Sequence, residues 1–416
     1  MKGLDRADKI IERIHSLGKI SENPDCLTRT FGSPAFLQGS RKIMEWMQEA
    51  GLNTRIDNIG NVRGRLESPD PSAKTLLIGS HMDTVTNAGK FDGPLGVIIA
   101  IELLEEFKKR NEITFPFTIE CVAFSDEEGA RFHTTFLGSK VITGKFDEVL
   151  LSKFDHNGTT LQEAIVAMNC DPNLIRQDFI PADELMGYFE IHIEQGPVLF
   201  ESKIPVAYVN GIAAQKRIEI KFSGFPGHAG TVPMNMRKDA LCAAAECITS
   251  IESFAKDHQD FVATVGKLEI LNSASNVIPG KISSSLDIRS IDLKLLNENC
   301  DLIKKLCTDI CGKRSIDLQW NLVQETSPVI CDATLNGLLK TSIKKNGHPL
   351  IGLTSGAGHD AVEISKVTPV SMLFVRCFEG ISHNPLENVE IMDIAAALQV
   401  SEDFLLALAA TTKNLK

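Results

Sequence analysis

The sequence predicts an α/β protein built from a discontinuous domain, in which a mixed sheet is flanked by helices, and an inserted ferredoxin-like α+β domain. Three observations support this fold class. The chain has 416 residues, which is more than one hydrophobic core usually supports. Strand-like runs alternate with helical segments up to about residue 210 and again after about residue 328, as in an α/β layer. The segment between them has the element order βαββαβ, which is typical of a ferredoxin-like module. We therefore expect one domain from residues 1–211 and 328–416, and a second domain from residues 212–327.

The larger domain begins with a predicted amphipathic helix, because Ile10, Ile14 and Leu17 recur at helical spacing. Apolar runs then predict strands at Thr75–Gly79, Thr118–Phe124, Tyr188–Ile193 and Val370–Val375, with a helix over about Val97–Lys109 and a last helix rich in Ala and Leu. In the inserted domain, the predicted strands are Arg217–Ser223, Phe261–Leu271, Lys281–Ile288 and Ile316–Leu322, and the predicted helices are Met236–Lys256 and Leu293–Cys311.

The composition is that of an ordinary globular protein, with 43% hydrophobic residues. The formal net charge of −11 argues against nucleic acid as a partner, because a phosphate backbone requires a basic surface. No apolar stretch approaches the roughly 20 residues that span a bilayer, and the N-terminus lacks the apolar core of a signal peptide. The ten cysteines include no CxxC pair, and Cys307 and Cys311 have no neighbouring His, so free thiols are favoured over a zinc cluster. These features predict a cytoplasmic protein that binds no membrane.

Four polar clusters each follow a separate apolar strand. Alone, each has an ordinary interpretation, such as a solvated acidic turn or a structural histidine. Because the carboxyl ends of strands in an α/β sheet meet at one edge, we expect the clusters to converge. They offer nitrogen and oxygen ligands suited to Zn²⁺, Mn²⁺ or Co²⁺, and the absence of Cys favours a catalytic site over a structural one. The clusters contain, in chain order, His81, Asp83 and Asp92; Glu127 and Glu128; His192 and Glu194; and His383.

Seven motifs occur in order between about residues 79 and 387: GSHMDTV with FDG, FSDEEGARF, HIEQGPVL, GHAGTVPM, NVIPG with DIR, SGAGHDA and GISHNP. Together they resemble the dinuclear amidohydrolases of the aminoacylase/carboxypeptidase superfamily. Within that superfamily, they are most similar to the branch of allantoate amidohydrolases and N-carbamoyl-L-amino acid hydrolases.

The resemblance implies a centre for two divalent metal ions per subunit, with Mn²⁺ or Zn²⁺ as the first choices and Co²⁺ or Ni²⁺ as others. Asp92 would bridge the ions, because its two oxygens can each bind one. Asp83 matches a supporting carboxylate that orients the His81 imidazole. Glu127 matches the general base, which must reach a water without binding metal itself. The implied metal ligands are His81, Asp92, Glu128, His192 and His383.

The resemblance also assigns roles to the inserted domain, which is expected to act as a lid and as the dimerisation domain of a homodimer. His228 matches a residue that reaches the partner's active site and stabilises the developing oxyanion. Asn276 and Arg289 match residues that hold the substrate carboxylate, since a guanidinium can bind a carboxylate with two parallel hydrogen bonds. Without the resemblance, an ion pair with Asp287 explains Arg289 equally well.

Three smaller points complete the implied site. Gln195 and Gln215 are further candidates for substrate contacts. His359 and Asp360 are expected to shape the pocket wall and are not expected to bind metal. The branch usually carries Glu directly after HIEQGPVL, whereas this chain has Phe200.

The implied reaction is metal-dependent hydrolysis of the terminal ureido group of a small anionic ureido acid. Allantoate, giving ureidoglycine, ammonia and CO₂, is the leading substrate. N-carbamoyl-L-amino acids are the main alternative, followed by 3-ureidopropionate and ureidoglycolate. A peptidase is disfavoured because HIEQGP is typical of the carbamoyl-cleaving branch. An inactive, substrate-binding relative is the alternative from a different class, and it is disfavoured because Glu127 and every implied ligand are present.

Overall fold

The computed structural model describes residues 2–110 and 114–414. Their contacts divide the chain into two compact units. The first contains the described residues up to Asn210 and from Cys331 onwards, and the second runs from Gly211 to Ile330. No helix among the described residues combines the length and the apolar character needed to cross a membrane.

Strands and helices alternate along most of the chain. The strands are β1 (Asn53–Ile56), β2 (Val62–Leu66), β3 (Thr75–His81), β4 (Thr118–Phe124), β5 (Leu185–Ile193), β6 (Val206–Ile212), β7 (Ala214–Ser223), β8 (Gly227–His228), β9 (Val262–Leu271), β10 (Val277–Ile278), β11 (Lys281–Ser290), β12 (Asp317–Thr326), β13 (Val329–Ile330), β14 (Gly352–Ser355) and β15 (Val370–Val375). The helices are α1 (Lys2–Gly18), α2 (Pro34–Glu49), α3 (Pro94–Arg110), α4 (Leu137–Ile142), α5 (Leu161–Ala167), α6 (Val198–Ser202), α7 (Ala240–Lys256), α8 (Leu293–Lys313), α9 (Ala333–Lys345), α10 (Ala361–Ile364) and α11 (Ile391–Asn414).

The first unit is organised around a mixed sheet. Within this unit the strand order is β1-β2-β4-β3-β5-β15-β6, with β14 paired to β6. The four neighbouring strands β4, β3, β5 and β15 are parallel, while β2 pairs with β4 and β6 pairs with β15 in antiparallel register. Every residue of β3, β4 and β15 is buried, and α3 packs on β3, so these strands form the centre of the core. The predicted mixed α/β sheet flanked by helices is confirmed.

The second unit has a four-stranded antiparallel sheet in the order β12-β7-β11-β9. The helices α7 and α8 supply the apolar side chains that pack against it, among them Cys247, Ile251 and Ile303. The helix predicted from Met236 starts at Ala240. The reason is local: the Asp239 carboxylate accepts hydrogen bonds from the first free amides of α7, at Leu241 and Cys242, and so caps the helix.

Candidate metal centre

The carboxyl ends of the four parallel strands bring the predicted polar clusters of the first unit together. His81 is the last residue of β3, His192 lies near the end of β5, and the loops after β4 and β15 contribute Glu128 and His383. Three overlapping groups have ligand atoms within 4.8 Å of one another: His81, Asp92 and His192; His81, Glu127 and Glu128; and Asp92, Glu128 and His383. Side chains up to 302 positions apart in the sequence, counted from His81 to His383, therefore share one small volume.

Asp92 lies between two of these groups. Its Oδ1 is 3.2 Å from Nε2 of His192 and 3.7 Å from Nε2 of His81, whereas its Oδ2 is 3.1 Å from Nε2 of His383. Oε1 of Glu128 lies 3.2 Å from the same His383 nitrogen. The two oxygens of the Asp92 carboxylate thus face two different sets of potential metal ligands. This is the arrangement that a carboxylate bridging two ions requires.

The donor set fits divalent cations. Nε2 of His81 and Nε2 of His192 face each other at 3.5 Å, although two neutral imidazoles can share only one hydrogen there. Oδ1 of Asp92 is buried and accepts no hydrogen bond within the described part of the chain. A buried polar atom without a hydrogen bond is costly, and an ion bound by Oδ1 and the imidazoles would remove that cost. Imidazole and carboxylate ligands without thiolate suit Zn²⁺ and Mn²⁺.

Gly93 makes the approach of Asp92 to His81 possible. A Cβ atom at this position would lie 2.4–2.6 Å from three atoms of the His81 ring. The backbone at Gly93 also has φ +81°, a conformation that residues with a side chain rarely adopt. The glycine after Asp92 is therefore required by both space and backbone conformation.

Asp83 connects two of the strand-end loops. Its carboxylate is fully buried and accepts hydrogen bonds from the backbone amides of Glu127, at 3.1 Å, and Glu128, at 3.2 Å. Nδ1 of His81 lies 3.2 Å from the Asp83 carbonyl oxygen and 3.4 Å from its carboxylate. Asp83 therefore holds the loop after β4 against the end of β3, in addition to contacting the His81 ring.

The electrostatics of the site distinguish Glu127 from its neighbours. Burial raises the pKa of Glu127 well above that of an ordinary glutamate, and the charges of Glu128 and Asp360 act in the same direction, while His81 opposes them. Burial lowers the pKa of His81, but the carboxylates of Asp83 and Asp92 outweigh it, so the pKa is raised overall. A buried carboxyl with a raised pKa beside a metal-binding cluster is suited to accept and return a proton.

His359 and Asp360 lie behind the cluster, where both are buried. The His359 ring packs edge-on against His192 with ring centroids 4.5 Å apart, and its Nε2 is 2.7 Å from Oγ of Ser355. Burial holds the pKa of His359 well below its usual value, with a further contribution from His192, so its ring is neutral. Neither residue belongs to a candidate metal-binding group among the described residues.

Two residues that contact Asp92, Ser382 and Glu387, were not predicted from the sequence. A third, Gln195, was expected to contact substrate and instead contacts Asp92. Oδ2 of Asp92 accepts hydrogen bonds from Oγ of Ser382 at 2.6 Å and from Nε2 of Gln195 at 2.8 Å. Glu387 accepts the backbone amides of Phe91 and Asp92. The signals in the sequence were the position of Ser382 directly before His383 and the position of Glu387 four residues after His383.

The remaining predicted residues belong to the second unit. Arg289 and Asp287 form a two-point ion pair, with Nε to Oδ1 at 2.8 Å and Nη2 to Oδ2 at 3.0 Å. Nε2 of Gln215 donates to the same Asp287 carboxylate at 2.6 Å. The structure therefore brings Gln215 and Arg289 together around one acidic side chain.

His228 and Asn276 are also neighbours in the second unit. His228 lies in the short strand β8, where it pairs with Val277 of β10, the residue that follows Asn276. The Asn276 carbonyl accepts a hydrogen bond from the amide of Ala229 at 2.9 Å.

In the first unit, Phe200 packs edge-on against Phe378, with ring centroids 5.3 Å apart. The Glu that usually follows this motif would not fill that packing role.

Together, the fold and the cluster define a hydrolase of the α/β class whose histidine and carboxylate side chains are suited to divalent metal ions. The family model described as Peptidase family M20/M25/M40 matches residues 77–407, and the chain belongs to this family.

The relatives include allantoate deiminases and N-carbamoyl-L-amino-acid amidohydrolases. The chain is 40% identical over 431 residues to allantoate deiminase 2 of Glycine max, covering 96% of this chain and 89% of the relative. It is 38% identical over 395 residues to an N-carbamoyl-L-amino-acid amidohydrolase of a Pseudomonas species, covering 93% and 95% of the two chains. Among solved structures, it is similar to a hydantoinase/carbamoylase family amidase from Burkholderia multivorans, with a TM-score of 0.89, 29% identity and coverage of 97% and 98%. These similarities confirm the resemblance stated from the motifs.

Proposed function

We propose that this protein is a metal-dependent amidohydrolase that removes the terminal carbamoyl group of a ureido acid, with allantoate as the substrate. The observation that carries the proposal is the position of Asp92, whose two oxygens face two different sets of nitrogen and oxygen ligands. This geometry supports a two-ion centre held by His81, Asp92 and His192 on one side and by Asp92, Glu128 and His383 on the other. Mn²⁺ or Zn²⁺ would suit these ligands, with Co²⁺ and Ni²⁺ as further candidates.

When bound, a pair of divalent ions supplies Lewis acidity and lowers the pKa of a water at the site. The chain supplies the proton transfers. Glu127 is buried beside Glu128 and accepts the proton of the attacking water, because burial raises its pKa well above that of an ordinary glutamate and so makes its carboxylate a stronger base. As the carbon–nitrogen bond breaks, Glu127 returns that proton to the departing nitrogen. The products are ammonia and a carbamate that decomposes to CO₂ and ureidoglycine when allantoate is the substrate.

The second unit would supply substrate contacts. The amide of Gly230 donates to Nδ1 of His228 at 3.1 Å, so a neutral ring carries its hydrogen on Nε2. That tautomer is the one that can donate to a developing oxyanion, and His228 is exposed. Arg289 and Gln215, gathered by Asp287, and the motif residue Asn276, which lies beside His228, would bind the substrate carboxylate.

Homodimerisation is part of the proposal. The edge strand β9 exposes apolar side chains, with Leu268, Ile270 and Leu271 each at least 40% exposed. An apolar edge strand with unpaired backbone groups readily pairs with a second strand. We therefore propose that the second unit is the dimerisation domain and the lid, and that His228 acts in the partner's active site.

The test is ammonia release by the purified protein with Mn²⁺ from allantoate, compared with N-carbamoyl-L-amino acids and 3-ureidopropionate. We expect allantoate to be hydrolysed with the highest kcat/KM, since three relatives with 40% identity are named allantoate deiminases. Glu127→Gln serves as the inactive control. No turnover of allantoate would refute the substrate assignment.

N-carbamoyl-L-amino acid hydrolysis is the second candidate, supported by the relative with 38% identity from Pseudomonas. Both reactions require one carboxylate contact and one carbamoyl group, so the same residues serve either. Preferential turnover of N-carbamoyl-L-amino acids would establish this alternative. If none of the ureido acids is hydrolysed while metal binds, the chain is an inactive binding relative.

A further inference from the structure

The loop between β15 and α11 contains a buried carboxylate that no part of the proposed reaction uses. Glu387 is 5% exposed, and its Oε1 accepts hydrogen bonds from the backbone amides of Phe91, at 2.6 Å, and Asp92, at 3.1 Å. Within the described residues, no Lys or Arg lies at ion-pair distance from this carboxylate. Burying a carboxylate without a cation is costly, so the two amides are its main stabilising partners. The single hydrogen of the Ser382 hydroxyl faces both Oδ2 of Asp92, at 2.6 Å, and Oε2 of Glu387, at 3.3 Å, and so contributes less to Glu387.

The segment before Asp92 is shaped to admit Glu387. A Cβ atom on Gly89 would lie 2.2 Å from Cδ, 2.4 Å from Cβ and 2.4 Å from Oε1 of Glu387. Because one of these atoms is the Glu387 Cβ, the clash could not be relieved by movement of the end of the side chain alone. Any residue larger than glycine at position 89 would therefore displace Glu387 from the two amides.

The same loop also fixes the side chain of Asp92. Ser382 donates to Oδ2 of Asp92 at 2.6 Å, and Gln195 donates to the same oxygen at 2.8 Å. Glu387 thus holds the backbone of Asp92, and Ser382, which contacts both carboxylates, holds its side chain. Oδ1 accepts no hydrogen bond within the described part of the chain and stays directed at His81 and His192.

We propose that Glu387 is a positioning residue for the metal centre: by accepting the amides of Phe91 and Asp92, it sets the direction in which Asp92 presents its oxygens to the two ion sites. This inference rests on the proposed function, in which Asp92 bridges two metal ions. The hydrogen-bonding geometry, and not the charge of Glu387, is what the role requires, because an amide oxygen can accept the same two N–H groups.

The test is calorimetric titration of metal-free protein with Mn²⁺ alone. We expect Glu387→Ala to weaken Mn²⁺ binding about 10- to 100-fold, the range typical for groups that orient metal ligands. Gly89→Ala should weaken it similarly although the Glu387 carboxylate is still present. Glu387→Gln should restore most of the affinity, since its side-chain oxygen can accept both amides and its NH₂ group can donate to Ser382. The matched control is Glu390→Ala, an exposed acidic residue in the same loop.

The outcomes separate this proposal from the proposed function. If folded Glu387→Ala and Gly89→Ala bind Mn²⁺ as the wild type does, the positioning role is wrong. A Glu387→Gln variant as weak as Glu387→Ala would also overturn it, because the charge would then be what matters. If circular dichroism shows that Glu387→Ala is not folded, the Mn²⁺ affinities of Gly89→Ala and Glu387→Gln test the positioning role instead. If the wild-type protein binds only one ion, the two-ion centre is refuted. The positioning role of Glu387 is then still tested by whether its variants lose affinity for that one ion.

Discussion

Replacing Asp83 with Asn tests how the loop after β4 is held against the end of β3. The two side chains have the same shape, but Asn has one acceptor oxygen where Asp83 has two. Asp83 uses one oxygen for the amide of Glu127 and the other for the amide of Glu128, at 3.1 and 3.2 Å. In either orientation of the Asn amide, its NH₂ group faces a backbone N–H, so one hydrogen bond is lost.

The size of the effect follows from that lost bond. A hydrogen bond to a charged group contributes about 1.5–3 kcal/mol, and Asp83 is fully buried, so solvent cannot replace it. At about 1.4 kcal/mol per tenfold change, this corresponds to roughly a 10- to 150-fold loss. If the amide of Glu128 loses its partner, the loss falls on metal affinity. If the amide of Glu127 loses it, the loss falls on kcat.

The assay combines calorimetric Mn²⁺ titration with steady-state kinetics on allantoate. Asp8→Asn, at an exposed position of α1, is the matched control and should change neither quantity. The reasoning is refuted if folded Asp83→Asn binds Mn²⁺ with wild-type affinity and also retains wild-type kcat.

Three further predictions concern the base and the second unit. Glu127→Gln should lower kcat by about 10²- to 10⁴-fold while Mn²⁺ affinity is retained, and a variant that remains active would remove Glu127 as the base. A remixed sample of His228→Ala and Glu127→Gln chains should regain roughly a quarter of wild-type activity, because half of the random dimers are mixed and each has one complete site. Activity no higher than that of the separate variants would show that His228 does not act across a dimer. Asp287→Asn should raise KM about tenfold with little change in kcat or Mn²⁺ affinity, since it loosens Arg289 and Gln215 from their shared partner. An unchanged KM would contradict this.

The sequence predicted the centre of the fold better than its edges. The strands Thr118–Phe124 and Val370–Val375 have the predicted bounds, because both are fully buried runs in which apolar residues predominate. The strand β2, Val62–Leu66, was not predicted, since two arginines interrupt its pattern. The structure explains them: Nε of Arg63 and Nη1 of Arg65 both contact the buried carboxylate of Glu120 on the neighbouring strand. A buried ion pair across strands has no signature in local periodicity.

The candidate site shows the same division. The histidines and carboxylates at strand ends could be found from residue type and position, because parallel strands place their carboxyl ends together. The contacts of Glu387 could not, since its hydrogen bond to Phe91 joins residues 296 positions apart and involves only a backbone group of the partner. Backbone partners leave no trace in residue type, so supporting contacts of this kind become visible only in the structure.

The strand order also explains why this site needs two supporting carboxylates. In the order β4-β3-β5-β15, Glu128 and His383 come from the two outer parallel strands, so their loops must extend over the centre to meet at Asp92. Such loops lack the ladder of hydrogen bonds that fixes a strand. Two buried carboxylates connect these outer loops to the loop after β3: Asp83, in the loop after β3, accepts the backbone amides of residues 127 and 128, and Glu387, in the loop after β15, accepts those of residues 91 and 92. Each carboxylate fixes the backbone of a proposed metal ligand without using that ligand's side chain, which leaves the side-chain oxygens of Asp92 and Glu128 available for metal.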